Sequence, residues 1–99
     1  MRFSRRDHAN ETTLEVGGTL NDVTAPDLRS ATDQIIDEQR MHVTVDLSRL
    51  DVIDNAGVHA IVRLYKHARC YGGTVRLVGL TGQPLALFKS LRLDRVFPI

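Results

Sequence analysis

The stretch VIDNAGVHAIVRLYKHARCYGG, residues 52–73, changes its periodicity within four residues. Val52-Ile53 closes a β-branched run, and from Gly57 onward Val58, Ile61, Val62, Tyr65 and Ala68 recur at helical spacing, with Leu64 at the border of that face. His59, Arg63, Lys66 and Cys70 fall on the opposite side. Gly72-Gly73 ends the helix, and residues 74–78 form the next strand. A strand, a helix apolar on one face and a second strand, in that order, make a parallel crossover, and the helix needs a sheet to cover. The chain is thereby committed to the α/β class.

The flanking segments extend the same alternation. Residues 12–16 read as a strand with Leu14 and Val16 on one face, punctuated by Gly17-Gly18. After the loop TLNDV, Thr24 is a good N-cap, Pro26 suits the first turn and Asp27 puts negative charge at the positive end of a helix. Leu28, Ala31, Ile35 and Ile36 then recur at helical spacing, with Arg29, Asp33, Asp37, Glu38 and Arg40 on the wetter side. HVTVDL, residues 42–47, is a strand, and SRLDV turns the chain toward Val52-Ile53. Thr81-Gly82-Gln83-Pro84 opens a last helix carrying Leu85, Leu87, Phe88 and Leu91, and Val96-Phe97 offers a short closing strand. Residues 1–11 read as a frayed segment or an edge strand around Phe3. The expected architecture is one domain over residues 1–99, a mostly parallel mixed sheet of four to five strands covered by three to four helices. A chain of this length buries about two-thirds of its unfolded surface. Function in such folds gathers in the loops outside the strand ends.

Composition narrows the partners. Thirteen basic and twelve acidic residues give a net charge of +1, and the basic residues are scattered rather than gathered in a stripe with aromatics between them, which argues against nucleic acid. The longest apolar runs fall short of the ~18 residues a membrane span requires, and Met1-Arg2-Phe3-Ser4-Arg5-Arg6 has no apolar segment after its charges. A single cysteine cannot form an internal disulfide. Together these point to a cytoplasmic location.

The join Asp54-Asn55-Ala56-Gly57 lies at the carboxyl end of a strand and the N-terminus of a helix, where unsatisfied N–H groups and the helix dipole attract an anion or a partner's side chain. A purely structural reading stands beside it: Asp54 caps the helix and Gly57 lets the backbone turn or pack closely. Nucleophilic catalysis needs an activated nucleophile with a base in reach, and an amide and a methyl beside one carboxylate do not supply it, so no enzyme is expected. The paired glycines belong to no nucleotide-binding pattern. His8, His42, His59 and His67 lack metal-ligand spacing, and His67 with Cys70 is a pair where zinc wants three or four ligands, so neither metal nor cofactor is expected. Cys70 lies among polar residues near Lys66 and Arg69, where an accessible thiol could enter a mixed or intermolecular disulfide.

With GGTLNDVTAPDL before it, the segment VTVDLSRLDVIDNAGVHAIVRLYKHARCYGGTVRLVGLTGQPLALFKSLRLDRVF resembles a STAS domain of the bacterial anti-sigma factor antagonist type, the likeness running over residues 12–99. It rests on strand-Asp-Leu-Ser, Ile-Asp-x-x-Gly, the Gly-Gly before a strand and the Leu-x-x-Val-Phe ending. The resemblance implies a partner, an anti-sigma factor with a kinase-like ATPase fold, that is bound by the unphosphorylated antagonist and so releases a sigma factor. In that family the corner reads Asp-Ser-Ser-Gly or Asp-Ser-x-Gly, and its second serine or threonine is phosphorylated. Here Asp54 and Gly57 match, whereas Asn55 and Ala56 stand at the serine positions, and Ala56 has no oxygen to phosphorylate. Asn21 replaces a frequent aspartate, with Asp22 next to it, and the sequence stops about where many relatives add a C-terminal helix. The partner surface implied comprises Asn21, Asp22, Thr24, Asp54, Asn55, Ala56, Gly57, His59 and Arg63, with Lys66 and Tyr71 at its rim. An antagonist fixed in its binding state follows, or one governed by Cys70 oxidation, expression or a ligand. The alternative is a scaffold or accessory subunit of a transporter, lipid-transfer or sensory complex, with the corner a structural turn.

Overall fold

In the computed structural model, which describes residues 2–40 and 42–97, the chain runs β1 (Arg2–His8), β2 (Glu11–Leu20), α1 (Ala25–Asp37), β3 (His42–Ile53), α2 (Asn55–Cys70), β4 (Thr74–Val78) and α3 (Gly82–Ser90), then a 3-10 turn at Leu93–Arg95. The four strands lie in the order β1-β2-β3-β4. β1 is antiparallel to β2, and β2, β3 and β4 are mutually parallel. Each parallel step is bridged by one helix. Because successive crossovers of one hand move steadily across the sheet, α1 and α2 fall on the same face and pack on each other.

That face holds the core. Leu14 and Val16 of β2, Val43, Val45 and Leu47 of β3, and Val75 and Leu77 of β4 are buried against Leu28 and Ile35 of α1 and Val58, Ile61, Leu64 and Ala68 of α2. Side chains one residue out of phase, among them Thr13, Glu15, Thr44 and Asp46, line the other face and are half-buried. His42 Nδ1 meets the Thr74 hydroxyl there at 3.0 Å, and Arg6 pairs with Glu15 at 2.6 Å.

Several boundaries differ from the sequence reading. The N-terminal segment is a seven-residue edge strand running from Arg2 to His8. Gly17-Gly18 does not end β2, which passes through both to Leu20; its pairing with β3 shifts between Glu15 and Gly17 and again between Gly18 and Thr19. A Cβ on Gly17 would stand 3.1 Å from Arg49 Cβ, so the glycine admits the close approach of the two backbones at the bulge. SRLDV is likewise no turn but the outer half of a twelve-residue β3, in which Leu50 and Ile53 are buried and Ser48, Arg49, Asp51 and Val52 exposed. The bulges break the two-residue period, and the resulting spacing of three imitates a turn. α2 begins at Asn55, two residues before the expected Gly57, and its buried face is centred on Gly57, Ala60, Ile61, Leu64 and Ala68. Val62 and Tyr65 are only half-buried.

No closing strand forms at Val96-Phe97. The chain instead turns through Leu93–Arg95, entered by Arg92 at φ 60°, and drops the fully buried Phe97 ring edge-on against Tyr65 with centroids 4.8 Å apart. Phe88 of α3 is its other aromatic neighbour, at 6.2 Å. Among the described residues, no helix is long and apolar enough to cross a membrane.

Candidate functional site

At the end of β3 the chain changes direction under several independent constraints. The Asp54 N–H donates to Leu20 O at 3.0 Å, which fastens the end of β3 to the end of β2. Asp54 is extended, with φ −114° and ψ −174°, and its Oδ1 accepts from the Gly57 N–H at 3.2 Å while its carbonyl accepts from Val58 N–H at 3.1 Å. It is the N-cap of α2. A Cβ on Gly57 would lie 2.6 Å from Leu20 Cγ and 2.8 Å from Ile53 Cγ1, so the first turn of α2 rests directly on the ends of β2 and β3. Both residues therefore carry the structural roles foreseen for them.

On the opposite side of β3, Ile53 N–H donates to Gln83 Oε1 and Gln83 Nε2 donates to Ile53 O, each at 2.9 Å. Nothing in the sequence marked Gln83, which lies 30 positions from its partner and sits in a segment read only as a helix entrance. Two residues from separate elements, the end of β3 and the first turn of α3, meet here without any shared motif.

The loop between β2 and α1 starts one residue after Leu20 and so stands beside the corner. Asn21 is half-buried and turned upon its own loop: its Oδ1 accepts from the N–H groups of Val23 at 2.9 Å and Thr24 at 3.1 Å. Thr24 occupies the N-cap position of α1 but makes no side-chain cap bond; its hydroxyl donates to Thr19 O and accepts from Asn21 N–H, both at 2.9 Å. Helix capping was expected of Thr24, and the tight loop claims its oxygen instead. With the polar atoms of Asn21 and Thr24 engaged inside the loop, Asp22 and the 78% exposed Val23 are left outward.

The structure thus brings Asn21, Asp22, Thr24, Asp54, Asn55, Ala56 and Gly57 to one end of the sheet. Asn55 is exposed, Gly57 is buried, and Ala56 is half-buried with its methyl packed against the core. His59 is exposed one turn along α2. Arg63 is half-buried and forms an ion pair with Asp33 of α1, so its charge serves the joint between the two helices rather than standing free at a rim. Spacing along α2 alone could not reveal a partner on another helix. Lys66 is exposed, as is Tyr71 at the C-cap of α2. Cys70 is an exposed free thiol, but at 1.5 Å of rise per residue it lies about 22 Å along the helix from Asn55, so it is not brought to the corner. No group of three or more His, Cys, Asp or Glu that could hold a metal occurs among the described residues.

Most of the perturbed ionisable groups cluster at the other end of the molecule. Arg5 spans Asp7 of its own strand and Glu38 beyond α1, at 3.0 and 2.7 Å. Hydrogen bonding to Arg5 holds both carboxyls below their ordinary range, and the two carboxylates raise Arg5 in turn. Arg40 reaches the same end, donating to the carbonyls of Ala9 and Glu11 and to the Thr12 hydroxyl. These bonds tie the β1–β2 turn to the end of α1. The Asp46 carboxyl is also lowered, by the Ser48 backbone N–H.

A short mixed sheet with both crossover helices on one face and a capped strand-to-helix corner at its carboxyl end defines a small α/β domain of the crossover type. The STAS domain family matches residues 3–99, and the chain belongs to it. The fold is similar to that of an anti-sigma factor antagonist from Mycobacterium paratuberculosis, at 20% identity and a TM-score of 0.86, over 98% of this chain and 82% of that one. It is also similar to the Bacillus cell fate determinant SpoIIAA in its phosphorylated form, at 14% identity and a TM-score of 0.75, over 96% and 99%. A sulfate transporter family protein from Wolinella succinogenes matches at 20% identity and a TM-score of 0.74, over 88% and 70%. No curated protein matches the sequence.

Proposed function

We propose that this chain is an anti-sigma factor antagonist whose corner and adjoining loop dock a kinase-like anti-sigma factor, freeing a sigma factor, and that this surface has no phosphoryl-controlled off state. The observation that carries the reading is the first turn of α2. Asp54, Asn55, Ala56 and Gly57 hold the position and cap expected of the family's corner, yet none of the four carries a hydroxyl. Phosphate would add about −1.5 to −2 charges and three strong acceptors, and at a docking surface that charge breaks a complex by repulsion and lost fit. A partner meeting Ala56 always meets the neutral corner. The similarity to solved anti-sigma factor antagonists, SpoIIAA among them, supports the class of partner.

Ala56→Asp is the test, read beside a urea titration that shows the variant folded, because Ala56 is half-buried and packs on the core. The first turn of α2 contains no acidic residue, and an acidic side chain near a helix N-terminus stabilises by about 0.3–1 kcal/mol. The variant is expected to unfold no more easily than the wild type while binding a kinase-fold anti-sigma factor at least about tenfold more weakly. Undiminished binding by the folded variant would remove the corner from the contact. That outcome would favour the second reading, a scaffold or accessory subunit in a larger assembly, which the structural likeness to a transporter family protein keeps in view.

A further inference from the structure

β4 pairs with β3 only as far as Val78 opposite Asp46, so among the described residues no strand lies beside the outer half of β3 on that side. A strand without a neighbour leaves alternate N–H and C=O groups to find other partners. At Ile53, the last residue of β3, both are supplied by one side chain: the Gln83 carboxamide accepts from the Ile53 N–H and donates to the Ile53 carbonyl, at 2.9 Å each. The carboxamide stands where the peptide group of a neighbouring strand would stand, and it matches that group's one donor and one acceptor. The next residue, Asp54, is held from the other side by Leu20 O. The entry to the corner is thus clamped between β2 and the first turn of α3.

We infer that Gln83 is the positioning residue of the corner, so that the N-terminal turn of α3 sets where Asp54, Asn55 and Ala56 are presented. The bearing of this on partner binding rests on the docking reading above; the positioning itself does not. A shorter amide would not reach both atoms, and an apolar side chain of the same length would leave both Ile53 groups without this partner in a buried residue.

The experiment compares backbone amide exchange by NMR in the full chain carrying Gln83→Met, which keeps the length and removes both bonds, and Gln83→Glu, which sets a carboxylate against the Ile53 carbonyl. In Gln83→Met, exchange at Ile53, Asp54 and Gly57 is expected to be about tenfold faster. In Gln83→Glu, whose carboxylate still accepts from the Ile53 N–H, Asp54 and Gly57 quicken more than Ile53; Val45 and Leu77 in the sheet centre are unchanged in both. Unaltered exchange at Ile53 in Gln83→Met, or acceleration spread evenly over the sheet in either variant, overturns the inference. Affinity for a kinase-fold anti-sigma factor, measured beside it, is expected to fall about three- to thirtyfold. Wild-type affinity in a variant whose corner amides have loosened overturns the link from α3 to docking. A wild-type chain that binds no such factor contradicts the proposed function instead, and the exchange data still decide the role of Gln83.

Discussion

An added Cβ at Gly57 would lie 2.6 Å from Leu20 Cγ, closer than carbon atoms approach, and both Leu20 and Ile53 beneath it are buried. Alanine gains up to about 1 kcal/mol over glycine in a helix interior, but overpacking a filled core costs about 1–3 kcal/mol. The first turn of a helix realises little of the propensity gain, so the steric term wins. Gly57→Ala is predicted to lower the free energy of unfolding by about 1–2 kcal/mol in urea titrations; a variant as stable as the wild type would show that Leu20 and Ile53 can yield. The neighbour Ala56 differs in kind, being half-buried beside the exposed Asn55, with its methyl only partly enclosed. Position 57 is dictated by packing, whereas position 56 is left to function.

At the scale of elements, β1 and the end of α1 depend on charge. Asp7 and Glu38 are both held below their ordinary range by hydrogen bonding to Arg5. A carboxyl with a folded pKa below its unfolded one contributes stability above the unfolded value, and that stability is lost as pH falls through the carboxylate range toward the folded value. Arg5 itself is raised and stays charged throughout, so it adds no slope there. Arg5→Ala is expected to flatten the acid limb of stability between about pH 5 and about pH 2, read from urea midpoints at each pH. Because both carboxylates are exposed, the effect is screened by salt. An acid limb of unchanged steepness would place the sensitivity elsewhere, with Asp46 the next group to test. The same scale shows why some elements were readable and others not. α2 announced itself because its 3.6-residue period is uninterrupted. The outer half of β3 did not, since bulges opposite Gly17 and Gly18 replace alternation by the Leu50 to Ile53 spacing of three. Phe97 looked like strand because the isolated apolar pair Val96-Phe97 is too short to show a period, and its burial against Tyr65 and Phe88 is a tertiary contact.

Across the whole molecule the two ends of the sheet are built differently. The end bearing the β1–β2 turn is bound by a network of arginines, whereas the corner end is held by backbone bonds, one aspartate cap and the Gln83 carboxamide. Side chains of Asp22, Val23 and Asn55 are thereby left outward at the corner end. The position of Asp54, Ala56 and Gly57 was legible from the strand-to-helix change alone. The Arg63–Asp33 pair and the Gln83 clamp were not, because each is fixed by a partner 30 positions away that no local spacing encodes. The central claim is that the corner docks its partner without a phosphoryl switch. It is tested most directly by titrating the wild type and Ala56→Ser against a kinase-fold anti-sigma factor, with and without prior incubation of the mixture with ATP. The account predicts that ATP leaves wild-type binding unchanged and abolishes that of Ala56→Ser with one phosphoryl group gained at position 56. ATP-dependent loss of wild-type binding, with label on residues 54–57, would contradict it.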